Sequence, residues 1–309
     1  MHKLSIFCLS LVCLLCSCRT HEERYFRRSL VENQEEAVFA AATGYDTPAA
    51  FTLPSDSLSI RELSDLFVEG SFYYYQGSPG HQLVLEEGLS LDPESALLHR
   101  ELGVAYLKRG IADQFPRYYG KAASLDPVSW LGWRAYLYLY FYRDYQRAID
   151  DCNRLDPLTP NFVDHPQSTS IDYMRGLAHH QLGEYQVARS YIDLHMEFER
   201  SSGDPQYIDK TSYLLSAMNY LELGKLNEAL AELDTAVSWG SKWAELHYYR
   251  ANILFELGRM TEARAALNKA EEGYNTGWGL SRPYVEEFFA AYPEDFRELS
   301  YQLDLLLGE

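Results

Sequence analysis

Beyond residue 60 the apolar residues recur at helical spacing, in blocks that repeat every 34 residues. The clearest pair sets Glu222–Ala236, ELGKLNEALAELDTA, over Glu256–Ala270, ELGRMTEARAALNKA. Gly224 and Gly258 are 34 apart, as are Ala229 and Ala263, Leu233 and Leu267, and Ala236 and Ala270. Farther upstream Asp92-Pro93 and Asp126-Pro127 keep the same interval, with Leu102-Gly103, Tyr106, Gly110 and Ala122 between them. Such a block predicts two helices joined at a glycine that can take the left-handed conformation ending the first helix. The period stops at Trp278. Pro283 and Pro293 each suit the first turn of a helix, and Phe296, Leu299, Leu303 and Leu306 mark one apolar face at helical spacing. This predicts capping helices over 278–309, because an uncovered last block would leave its apolar face in water.

The slots resemble those of the tetratricopeptide repeat: Leu-Gly, a Tyr, a turn Gly, Ala in the second helix, and a closing Pro. A small residue in the first helix admits the second helix closely, Ala in the second sits where the next repeat packs, and Pro cannot continue a helix. Six repeats can be placed, at about 62–93, 96–127, 129–157, 169–202, 210–243 and 244–277. The first is degenerate. The third has Arg143 where the turn glycine belongs, and its second helix is about three residues short. Gly183 and Gly224 are 41 apart, which places an insertion of seven residues around Ser201–Pro205. The fold class implied is all-α, a solenoid of about six helix–turn–helix units over 59–277 with a C-terminal helical cap. The resemblance covers about 215 of 309 residues. It is specific for fold and weak for function.

In proteins of this family the first helix of each repeat lines a concave groove. Carried over, that places Leu66, Tyr73 and Tyr74, then Arg100, Val104 and Lys108, on the groove. Trp130, Trp133, Leu137, Tyr140 and Phe141 follow from the third repeat, and Tyr173, Leu177 and His180 from the fourth. Leu214, Met218, Leu221, Tyr248, Asn252 and Phe255 complete the set. Two readings of the aromatic residues stand side by side: they pack between repeats, or they face a partner. The third repeat's first helix is aromatic on several faces and cannot bury every ring internally. The candidate partner groove is therefore Arg100, Lys108, Trp130, Trp133, Tyr140 and Tyr173, an aromatic stripe rimmed by cations that fits hot-spot composition and an acidic or carboxylate-bearing segment. Some relatives clamp a terminal carboxylate with Lys and Asn on successive first helices; here those slots hold Leu66 and Gly70, which puts chaperone-tail binding in doubt.

The first eighteen residues change the picture of where this solenoid works. Leu4–Cys16 is an apolar run of thirteen residues, shorter than the roughly 20 needed to cross a membrane and fitting the core of a secretory signal. Leu15-Cys16-Ser17-Cys18 resembles a bacterial lipobox, which implies cleavage after residue 17 and lipid on Cys18; the competing reading is an ordinary signal that leaves Cys18 free. The expectation is a signal peptide over 1–17 and a tether over 18–58, with Thr43–Ser57 as its Pro- and Gly-bearing linker. Two acyl chains would anchor the chain stably, as a lipoprotein of a bacterial cell envelope whose partners are envelope proteins or peptides.

Composition narrows the function classes. The net charge of −18 repels phosphate backbones, so no nucleic-acid partner is expected. Four of the five cysteines lie within residues 1–18, leaving Cys152 without a disulfide partner. No catalytic, cofactor or metal set emerges. His179-His180 point about 100° apart on a helix, and His195 with Glu199 is a single i,i+4 pair rather than a His-Glu-x-x-His arrangement. Asp150-Asp151, Glu271-Glu272 and Glu286-Glu287 read as solvated faces, and Gly77–Gly80 as a turn lacking the Lys and Ser/Thr of a phosphate loop. The sequence thus points to a protein–protein scaffold rather than an enzyme, with a small-ligand or glycan receptor stacking its ligand on groove aromatics as the alternative.

Overall fold

The computed structural model describes residues 59–160 and 162–308. The signal segment, Cys18 and the tether lie outside the described residues. Thirteen α-helices, and no named strand, make up the described residues. They are α1 (Ile60–Ser71), α2 (Pro79–Leu91), α3 (Ala96–Lys108), α4 (Phe115–Leu125), α5 (Pro127–Leu137), α6 (Tyr145–Leu155) and α7 (Ile171–Gln181). Then come α8 (Tyr185–Ser202), α9 (Lys210–Glu222), α10 (Leu226–Ser238), α11 (Ala244–Glu256), α12 (Met260–Asn275) and α13 (Pro293–Leu307). The pairs α1/α2 through α11/α12 are the six repeats and α13 covers the last, as the 34-residue period requires.

Local chemistry sets most helix starts. Ser59 caps α1 in a reciprocal box with Glu62, its N–H donating to Glu62 Oε2 at 2.7 Å. Ser78, Ser95, Asp126, Asp144, Ser170 and Asp209 cap α2, α3, α5, α6, α7 and α9 with side-chain oxygens. The first helices end as the period demands, with Gly110, Gly183, Gly224 and Gly258 at φ between 71° and 76°. Arg143 takes the same left-handed position at φ 53°, after a π-helical turn over Tyr138–Tyr142. The third repeat thus keeps its turn without the glycine, at the conformational cost a side chain bears there.

The described residues divide into two compact units within α4, before and after the step from Tyr118 to Tyr119. In the first, α1, α2 and α3 pack around Phe67, Val68, Val84, Leu85, Leu98, Leu102 and Ala105. In the second, helices from α5 to α12 pack each on the next, while the first helices α5, α7 and α9 also touch in succession. The alanines of the period are the tight points: Ala229, Ala236, Ala263 and Ala270 are fully buried. Gly273 of α12 lies so close to the start of α11 that a methyl group would run into the carbonyl oxygen of Lys242. The longer α8 and a 3-10 turn at Pro205–Tyr207 absorb the seven-residue insertion.

The cap departs from expectation. Only α13 is helical after residue 277; no helix starts at Pro283. Residues 278–292 run as an irregular strap with one isolated bridge, Arg282 to Val285. Only ten residues separate Pro283 from Pro293, and proline disfavours helix in the residue before it. Phe288 and Phe289 of the strap are half-buried against other helices, while Trp278, Tyr284 and Tyr292 stay exposed.

A candidate peptide-binding face

The first helices of the second compact unit present a row of rings: Tyr136 and Tyr140 from α5 and its π turn, Tyr173 and His180 from α7, Tyr249 from α11. The strap lies on this row. Its entry is fixed by backbone hydrogen bonds, Trp278 N to Gly273 O at 2.8 Å and Ala244 N to Trp278 O at 2.9 Å. Leu280 N then donates to Glu245 Oε1 at 3.1 Å. Burial pushes the Glu245 carboxyl above the usual carboxylate range.

Side chains make the remaining attachments. The Arg282 guanidinium sits 3.9 Å from the Tyr140 ring centre, donates to the Tyr136 hydroxyl, and pairs with Glu287 of the strap at 3.0 Å. Phe288 meets Tyr140 edge-on at 5.6 Å and lies under the Arg143 guanidinium at 3.7 Å. Arg143 also donates to the Glu286 carbonyl. Phe289 stands edge-on to His180 at 5.3 Å and to Tyr249 at 6.5 Å. A narrow cleft between strap and helices is lined by Tyr140, Tyr173, Leu214, Arg282, Phe288 and Phe289.

This arrangement changes the groove read from the sequence. Tyr140 and Tyr173 do come together, but at 3% and 7% exposure they are covered by the chain's own strap. Burial holds both hydroxyls protonated, well above the ordinary tyrosine range. Trp130 and Trp133 stay half-buried on α5 and do not line that cleft; Trp130 stands edge-on to Tyr119 at 6.4 Å. Arg100 and Lys108 belong to the other compact unit, where Arg100 pairs with its neighbour Glu101 and Lys108 ends α3 exposed. The cation that meets the aromatic row is Arg282, which the period-based reading passed over because it falls after the repeats. Its signal was present: an arginine and the adjacent pair Phe288-Phe289, a pattern without helical spacing between two prolines.

Other candidates resolve into packing. His195 is buried, with Nδ1 at 2.9 Å from Ser170 Oγ and Nε2 at 2.8 Å from Ser212 Oγ, so both nitrogens are engaged by serines rather than turned to a metal shared with Glu199. Among the described residues no group of three or more His, Cys, Asp or Glu side chains is placed to hold a metal ion. His179 stacks on Tyr191 at 5.4 Å. Two of the acidic pairs are not the solvated faces expected of them. Asp151 is buried and takes a bidentate pair from Arg134, both bonds 2.6 Å, and Glu287 is nearly covered by its pairing with Arg282. Cys152 is fully buried, which pushes its thiol up to about 12 and leaves it unreactive.

Residues 214–277 match the family model of the tetratricopeptide repeat. No curated protein matches the chain in sequence. Among solved structures, the fold is similar to a tetratricopeptide-repeat protein from Parabacteroides merdae ATCC 43184, 19% identical, with 80% of this chain and 88% of that one covered and a TM-score of 0.58. It is also similar to PilW, described as a widely conserved type IV pilus biogenesis factor, at 14% identity, 77% and 99% coverage, and TM-score 0.56. Pseudomonas aeruginosa PilF is similar at 16% identity, 79% and 99% coverage, and TM-score 0.56.

Proposed function

We propose that this chain, whose residues 214–277 match the tetratricopeptide-repeat model and whose fold is similar to solved proteins of that kind, is a non-enzymatic scaffold, binding other proteins by receiving extended segments on the face of its first helices. The observation behind this reading is that the face already receives one: the non-helical strap, seated by Arg282, Phe288 and Phe289 on Tyr136, Tyr140 and His180. Helix pairs hold such a face rigid, so little ordering entropy is spent on the receptor side when a segment docks. The glycan-receptor alternative would use the same rings, and the sugar arm of the capture experiment below separates the two.

We place the scaffold at a bacterial cell envelope, held by lipid on Cys18. The support is the apolar run Leu4–Cys16 and the Leu15-Cys16-Ser17-Cys18 stretch, with the tether over 18–58 giving the helices reach from the membrane. PilW, whose fold is similar, is described as a type IV pilus biogenesis factor. Two measurements test the proposal. Cys18→Ala should move the chain from the membrane to the soluble fraction, and a variant that stays membrane-bound would sink the anchor. Purified chain should capture a defined protein from envelope extract, undiminished by excess mono- and oligosaccharide; loss of capture to sugar would favour the receptor reading.

A further inference from the structure

The strap is bound as a ligand is bound. Among the described residues, no backbone–backbone hydrogen bond ties residues 281–291 to the helices. Attachment over that stretch is through side chains: one guanidinium on two tyrosines, one ring under Arg143, one ring against His180 and Tyr249. Its backbone is also strained. Tyr284 and Phe289 stand at φ 72° and 61°, left-handed values that aromatic residues with a Cβ rarely adopt. On the receiving face the rings project from regular helices and one π turn, and Arg143 is its one left-handed residue, at φ 53°. The two sides therefore differ in kind: a largely helical aromatic receptor, and an irregular segment held against it with two aromatic residues in a disfavoured conformation.

We propose that the strap is a displaceable occupant of the face, and that the partner segment carries the same recognition chemistry: an extended peptide with an arginine and, six residues later, two adjacent aromatic side chains. The inference rests on the scaffold reading above and names what that scaffold recognises. Tyr136 and Tyr140 take the guanidinium, which gains from the acidic character of the whole chain, with net charge −18. Tyr140 and Arg143 take the first ring, His180 and Tyr249 the second. A partner peptide without left-handed residues at the positions of Tyr284 and Phe289 would make the same contacts free of that strain. The tethered strap competes at an effective concentration on the order of millimolar, so displacement needs a better-matched or locally concentrated partner. Covering the face in its absence also keeps the rings from unspecific association.

A labelled synthetic peptide of residues 278–292 tests this in trans against the full chain. Wild type should bind it weakly, because its own strap holds the site. Arg282→Ala with Phe289→Ala, changes confined to the strap, should tighten binding of the wild-type-sequence peptide at least tenfold. Adding Tyr140→Leu on the face should cancel that gain. Equal binding to all three chains, or binding to none, would overturn the proposal. Should the strap variant lose its helical circular dichroism, the single change Phe289→Ala replaces it: it should still tighten binding of the peptide severalfold, and no gain would show the strap to be a permanent tie. Capture of envelope proteins with no trans binding of the peptide would refute the strap while sparing the scaffold. Trans binding with no protein captured would do the reverse.

Discussion

Single residues decide more here than the repeat pattern implies. His195 bridges α7 and α9 from the middle of α8, accepting or donating at Ser170 and Ser212. Burial, with His165 nearby, holds its pKa down at about 4 against an ordinary 6.5. Between those values the unfolded chain binds a proton that the folded chain refuses, so stability is complete above pH 6.5 and falls as pH drops toward 4. From pH 7 to pH 5 the loss from this one side chain should be about 2 kcal/mol. Urea unfolding at the two pH values checks it: His195→Gln should flatten the pH dependence by roughly that amount, and an unchanged slope would show that the imidazole is not the source. Arg143 makes the complementary point. A side chain occupies a left-handed turn because its guanidinium holds Phe288 and the Glu286 carbonyl. Arg143→Gly should therefore relax the turn by about 1 kcal/mol yet loosen the strap, visible as faster amide exchange over 281–291.

At the scale of elements, the repeats rest on close approach. Ala229 and Ala263 are fully buried where second helices meet their neighbours. Ala229→Glu or Ala263→Glu should cost several kcal/mol, since each forces a long charged side chain into a filled contact; melting within a degree of wild type would show those contacts to be open. Gly273→Ala should be as damaging despite adding one carbon, because the obstacle is backbone, the Lys242 carbonyl and the Ala244 amide, which no rotamer change can move. Thermal unfolding followed at 222 nm measures both. The helices and their turn glycines were legible from the period, since the tight positions repeat in sequence as they do in space. The strap was not. Pro283 suits a helix start by local chemistry, but local chemistry carries no information about the aromatic row that residues 284–291 meet across separations from 40 residues, to Tyr249, up to 148, to Tyr140.

For the whole molecule, the acidic balance fixes what the chain avoids. With a net charge of −18 it should leave duplex DNA unshifted in a gel even at low salt, where phosphate binders hold best; a retarded band that disappears with added salt would contradict the charge argument. The sequence by itself determined the all-helical repeat architecture, because this follows from short-range spacing. Only the tertiary structure decided which rings are covered and which stay exposed. Tyr140 and Tyr173 are groove residues by register and buried residues by contact, and Asp151 and Glu287 are acidic neighbours in sequence but members of specific ion pairs in space. Exposure and pairing are set by whatever arrives from elsewhere in the chain. A period describes each repeat and its neighbour, whereas the strap joins residue 282 to residue 136, a contact that nothing within one period can encode.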